Sequence, residues 1–340
     1  MIGRPAGVWR RTPPTNRGAM RARGFLWTLA ATATLGSLLA ACGDDDPYRV
    51  ETSLASAIRA LGSEDIDESE AAAERILAFG RAALPALDRA LAREAPAIRK
   101  GVIEVLERYE HDSEVAGLVV RTAAHDNDVA VRATALRTLT VYADPRARAV
   151  VEAGLFDPEP QIRMEAAAAC AEMSVSAAAL DRLVEIAIHD ATLPTAVAAR
   201  GAVARLLARG DSMQSQALRR AIGAQVRAAL AAPDPSTALR AALLASDVGD
   251  PSGRAILARA LGEDIPALLR LQATHALGTI GTSAEIPALV ALQRQPGLAE
   301  YAYDALRRLA EREVVGASEA LEHWQGPRPP APLGPPPGAR

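Results

Sequence analysis

Cysteine, lysine and aromatic residues are scarce in this chain. Of 340 residues two are cysteine, 3% are Phe, Trp or Tyr, and among 38 basic residues only Lys100 is a lysine. Two cysteines cannot build a disulfide framework or a Cys-rich zinc site. The shortage of rings argues against aromatic-lined sugar sites and base-stacking platforms. The lysine deficit, beside so much alanine, suggests a GC-rich coding sequence more than a function. P-loop, G-x-S-x-G and G-x-G-x-x-G patterns are also absent, so no catalytic residue can be named and no cofactor is implied. What is present, 49% hydrophobic and 23% charged residues, is the balance of a folded globular chain.

Arg4, Arg10, Arg11, Arg17, Arg21 and Arg23 all precede the first acid. An uncharged run, Gly24–Ala41, follows and is closed by Cys42. A basic stretch, an apolar stretch and small residues before a cut describe an export signal. The run is short for a membrane span, which takes about 20 apolar residues. Leu39-Ala40-Ala41-Cys42 resembles the lipobox of bacterial lipoproteins. The resemblance implies cleavage between Ala41 and Cys42, lipid on the Cys42 sulfur, and a signal peptide over 1–41 whose true start is Met1 or Met20. Arg10-Arg11 lacks the apolar pair of a twin-arginine signal. Gly43, where sorted lipoproteins carry no retention aspartate, implies the periplasmic face of the outer membrane. Removal of 1–41 carries the net charge from −3 to −9, which gives no electrostatic reason to bind nucleic acid.

Residues 42–50, with Asp44-Asp45-Asp46-Pro47, read as a lipidated cysteine and polar tether. At the other end, 326–340 holds seven prolines in 15 residues and is expected to be an extended or disordered tail.

Between these ends, over 51–325, the chain repeats itself. Ile98–Leu106 lines up with Val131–Leu139, Ile162–Cys170, Ala199–Leu207 and Leu269–Leu277, and looser copies start near Glu68, Leu239 and Leu298. In each copy apolar residues fall at i, i+4, i+7, i+8 and i+11, one stripe of a helix. Position i+11 is Phe79, Tyr109, Tyr142, Met173, Ile280 or Leu309. A second apolar helix follows, such as Leu84–Leu91 or Ile286–Leu292. Asp144-Pro145, Asp157-Pro158, Asp234-Pro235 and Asp250-Pro251 mark helix starts, Asp capping free N–H groups and Pro fitting the first helical position. The repeat from Ala199 is the longest, with Met213–Ala232 readable as an extended second helix.

Leu269–Gly281 (LRLQATHALGTIG) and Val131–Pro145 (VRATALRTLTVYADP) resemble the HEAT-repeat consensus, in the short form found in bilin lyases. The resemblance implies an all-α, right-handed α-solenoid, an armadillo-like superhelix of about eight helix pairs. One pair cannot bury its apolar face alone, so neighbours must stack. Arg99, Arg132, Arg163, Arg200, Arg240 and Arg270 recur at one position and form a ladder. Two readings stand, an anion-binding stripe or pairing with acids and carbonyls of adjacent turns. HEAT resemblance implies the second, with Asp126, Asp157 or Asp190 as partners.

Cys170 sits in the Leu slot of its repeat and is expected to be a buried small hydrophobe. His125-Asp126 and His189-Asp190 occupy equivalent turns and read as repeat echo, not as metal ligands. The paired His-Glu dipeptides of HEAT-type metal hydroxylases are missing, so no metal is expected. What remains is surface. In HEAT-type solenoids the second helices line the concave face, which would place Arg89, Arg121, Arg182, Arg219 and Arg259 there as a basic groove for an acidic peptide or anionic polymer, or as a solvated face. The sequence thus implies a non-catalytic scaffold for another envelope protein. The alternatives are a bilin-lyase-like enzyme or accessory that binds a small ligand, and a structural tether to the cell wall.

Overall fold

The computed structural model describes residues 47–109, 112–209, 212–262 and 265–329. The chain divides into a small N-terminal unit ending at Ser56 and a large one, Ala57–Arg340. The expected signal peptide, Ala41 and Cys42 with its lipid, and residues 330–340 of the proline-rich end lie outside the described residues. Of the segment assigned to a polar tether, 47–50 instead open the first helix, α1 (Pro47–Ala60); Pro47 stands where a missing N–H leaves no bond unmade.

Every regular element among the described residues is helical. Pairs follow one another: α2 (Ile66–Ala78) and α3 (Leu84–Arg93), α4 (Pro96–Glu107) and α5 (Ser113–His125), α6 (Val129–Thr138) and α7 (Pro145–Gly154), α8 (Pro160–Cys170) and α9 (Ala177–His189). Then come α10 (Leu193–Ala208) and α11 (Ser212–Ala229), α12 (Pro235–Asp247) and α13 (Arg254–Ala260), α14 (Ala267–Ile280) and α15 (Ile286–Ala291), α16 (Ala299–Glu311) and α17 (Ala317–Glu322). First helices stack on first helices, α4 on α6, α6 on α8, α8 on α10, and α14 on α16. This is the expected all-α solenoid. The extended second helix is α11.

Local chemistry sets these boundaries. Asp112, Asp144 and Asp234 accept backbone N–H bonds at the starts of α5, α7 and α12, and Asp250 caps the short 3-10 turn before α13, each such cap contributing about 1 kcal/mol. Asp157 does not cap: α8 starts further on, at Pro160, and Asp157 accepts from the Glu159 N–H at 2.8 Å in the turn before it. The core is built from Ile76, Leu87, Ile103, Leu106, Leu136 and Leu183, all fully buried; each contributes roughly 1.5–3 kcal/mol by leaving water. Small residues permit close approach. A Cβ on Gly278 would lie 2.8 Å from the Ala305 Cα, so α14 and α16 touch backbone to backbone.

The stack is irregular at its middle. α12 packs on α11, α9 and α14, so that α9 is flanked by α10, α11 and α12 together. The C-terminal end is closed by Trp324, 5% exposed, whose ring meets Tyr303 edge to face at 5.8 Å and whose Nε1 donates to the Pro327 carbonyl at 3.2 Å. Arg328 lies over the Tyr303 ring at 5.6 Å. Residues 326–329, the start of the segment expected to be extended or disordered, carry no helix, and there the Pro327 carbonyl and the Arg328 guanidinium contact Trp324 and Tyr303.

Candidate interaction surface

Five of the six ladder arginines bond within the chain, while the sixth, Arg270, has its Nε buried with no partner among the described residues. Arg99 forks onto the Asp126 carboxylate with Nε and Nη2 at 2.8 and 2.7 Å, and the Asp126 carbonyl accepts from Arg132 at 2.9 Å. The same residue thus ties two consecutive repeats. Arg163 forks onto Asp190 at 2.7 and 3.1 Å and also donates to the Asp157 carbonyl at 3.0 Å. Asp126, Asp157 and Asp190 are the acids that the HEAT resemblance implies as partners; Asp126 and Asp190 supply carboxylates and Asp157 its carbonyl. Burial pushes the Asp190 carboxyl up, but hydrogen bonds from Arg163 and Thr192 with the Arg163 charge outweigh it and hold the group below the usual carboxylate range.

At the irregular pair the pattern shifts. The Asp190 carbonyl is taken by Arg240, and Arg200 turns instead to Asp247, at 2.8 and 2.7 Å, and to the Gln272 side chain at 3.0 Å. Beside it, Arg308 Nη1 lies 2.6 Å from His275 Nε2 and its other terminal nitrogen 3.0 Å from Asp304. Burial, then the Arg308 and Arg200 charges, hold the His275 imidazole below its ordinary pKa. No sequence signal pointed to Asp247 or Gln272, whose partner Arg200 lies on a helix not consecutive with theirs, or to His275, which meets Arg308 of the next first helix, while Arg308 and Asp304 are an i,i+4 pair of that same helix.

The five second-helix arginines are all on α3, α5, α9, α11 and α13, one to a helix. Arg121 is paired with Asp88 of the preceding second helix. Arg182 pairs with Glu185 at 2.8 Å, donates to the Leu155 carbonyl and covers the exposed Phe156 ring at 4.9 Å. Arg219 donates to the Val248 carbonyl at 3.3 Å. Arg89 and Arg259 are exposed. The row is therefore a surface of mixed charge over its first half, since Asp88 and Glu185 neutralise two of its members.

Cys170 is buried, and burial followed by the Glu152 charge pushes its thiol up to about 12. His125 and His189 end α5 and α9, and the aspartates after them serve the ladder. Tyr109 and Tyr142, both at position i+11, donate to carbonyls of the preceding repeat, Gly80 at 3.0 Å and Leu106 at 2.6 Å. Among the described residues no group of His, Cys, Asp or Glu is arranged to hold a metal. A shallow cleft of about 250 Å³ lies between Asp112, Ser113, Ala116, Tyr142 and Pro145 at the turns of two adjacent repeats.

The family model of HEAT repeats matches residues 118–202, the stretch from α5 to α10 that includes the Arg163–Asp190 pair. Comparison with curated proteins gives no match. Among solved structures, YibA of Escherichia coli is 14% identical, with 79% of this chain and 98% of that one aligned and a TM-score of 0.49. The CpcE–CpcF complex of a Nostoc phycocyanin lyase is 20% identical, covering 70% and 93%, with a TM-score of 0.39. A designed armadillo repeat protein is 19% identical, covering 75% and 99%, with a TM-score of 0.35.

Proposed function

We propose that this chain is a non-catalytic protein–protein interaction scaffold of the bacterial cell envelope, anchored by lipid on Cys42 to the periplasmic face of the outer membrane. The observation that supports it is the internal use of the ladder. Arg99, Arg163 and Arg200 are spent on Asp126, Asp190 and Asp247, which makes them a frame, and the second helices are left as the face that meets a partner. The lipobox at Leu39–Cys42 supports the anchor. The partner in this reading is another envelope protein that presents an acidic segment to Arg182, Arg219 and Arg259, its carboxylate replacing Glu185 at Arg182.

The test is in-cell crosslinking with the full-length protein, wild type against a variant with Arg182→Glu, Arg219→Glu and Arg259→Glu. One envelope protein captured by wild type and lost in the variant supports the reading; equal capture moves the site off these arginines, and turnover of a substrate by the purified chain overturns the non-catalytic role. Membrane fractionation unchanged by Cys42→Ala would refute the anchor.

A further inference from the structure

Charge is distributed unevenly along the stack. From 191 to 233 the chain carries six arginines, Arg200, Arg205, Arg209, Arg219, Arg220 and Arg227, against one acid, Asp211. Arg205 and Arg209 meet Glu172 of the preceding repeat, and Arg200 meets Asp247. The three on α11 do not follow suit. Among the described residues Arg219 donates to the Val248 carbonyl, Arg220 to the Gln216 carbonyl of its own helix, and Arg227 lies over Gly223. All three are exposed and none meets a carboxylate among the described residues. Gln216, Arg220, Gly223 and Arg227 are spaced to share one face of α11, and Gln225 fastens the helix to α9 through the Asp181 carbonyl at 3.1 Å, so the face is held outward.

The reverse composition occurs at the other end. From 62 to 79 there are six acids, Glu64, Asp65, Asp67, Glu68, Glu70 and Glu74, against Arg75 alone. Glu74 is paired with Arg108, and Asp65 caps α2. Glu64, Asp67 and Glu70 are exposed and meet no cation among the described residues. Each patch also carries an exposed large apolar side chain, Ile66 at 73% beside the acids and Met213 at 71% on α11.

These two faces cannot meet within one molecule. α2 packs on α4, α11 packs on α9, α10 and α12, and in a stack of repeats each unit contacts its neighbours. We infer that a second copy of this chain docks on α11 through its own α2, Glu64, Asp67 and Glu70 opposite Arg219, Arg220 and Arg227, with Ile66 and Met213 at the contact. Because the two surfaces differ, the contact is heterologous and propagates head to tail, closing into a ring or running on as a filament. Charge matching of this kind sets orientation and encounter rate and weakens steeply with salt.

The experiment is sedimentation of the full-length protein in a non-ionic detergent. In about 50 mM NaCl wild type shows mass rising with concentration, and in about 500 mM NaCl, where the Debye length is several-fold shorter, it returns toward monomer. A variant with Arg219→Glu, Arg220→Glu and Arg227→Glu, and another with Glu64→Arg, Asp67→Arg and Glu70→Arg, each lose self-association by at least about tenfold. Mixed in equal amounts the two associate again, because each then offers the face the other lacks; that recovery also shows both to be folded. Wild type that stays monomeric in low salt, reversed variants that associate like wild type, or a mixture that stays monomeric overturns the inference. So does wild type that ignores its own copies but pellets with anionic vesicles through the three arginines, which makes a lipid surface the occupant.

Discussion

The carbonyl oxygen of Asp190 accepts from Arg240 Nη1, fifty residues further along the chain, while the Asp190 carboxylate holds Arg163. Asp126 does the same for Arg132 and Arg99 across adjacent repeats. The clamp is one motif, stretched over an entire helix pair at Asp190 because α12, not α10, brings its arginine to the end of α9.

Asp190→Asn tests the clamp. The Arg163 and Asp190 side chains are 12% and 4% exposed, so the substitution leaves a largely buried guanidinium without its counter-charge, held by the Asp157 and Pro158 carbonyls, and is expected to lower stability by roughly 3 kcal/mol in urea titrations at neutral pH. The Asp190 carboxyl is held low in the folded state. The contribution is therefore complete above the unfolded carboxylate pKa of about 3.9 and is lost as pH falls through the lower folded value. A difference between the two proteins that already fades between pH 7 and 5 would count against the pairing.

Two glycines separate close approach from helix propensity. Gly278→Ala places a Cβ 2.8 Å from the Ala305 Cα and is expected to cost about 1–3 kcal/mol by forcing α14 from α16. A Cβ added to Gly201, inside α10, would meet nothing within 4 Å, so Gly201→Ala is expected to stabilise by about 0.5–1 kcal/mol. Thermal melts that shift in the same direction for both would contradict this packing.

A thiol count reads both cysteines. With its thiol pushed up to about 12, Cys170 is expected to ignore a disulfide reagent in the native protein. In denaturant one thiol per chain is expected if Cys42 carries lipid, and two if it does not. Rapid native reaction of a Cys42→Ala protein would place Cys170 at the surface.

His275 makes the fold sensitive to mild acid. Its folded pKa lies below the ordinary value because of burial and the charges of Arg308 and Arg200, opposed by Asp304 and Asp247. Between the folded pKa and about 6.5 the unfolded chain binds the additional proton, so stability falls as pH drops through that window. Urea midpoints measured from pH 7.5 to 5 are expected to fall less for His275→Gln than for wild type.

The features legible in the bare chain are local and periodic. The i, i+4, i+7 stripes mark the helices and Asp144 and Asp234 their starts, because caps and helix faces depend on residues a turn apart; the partners Asp126 and Asp190 come from the resemblance to HEAT repeats, in which a repeat returns such residues to equivalent places. Three-dimensional packing sets where the repetition breaks. Arg200 goes to Asp247 and Gln272, Arg240 takes the Asp190 carbonyl, and Trp324 and Arg328 meet Tyr303. The arginine contacts depend on how far apart helices stand that are not consecutive in the chain, a distance set by packing volumes summed over the helices between them, and the Trp324 contact on how the chain turns back after α17; no single segment carries either.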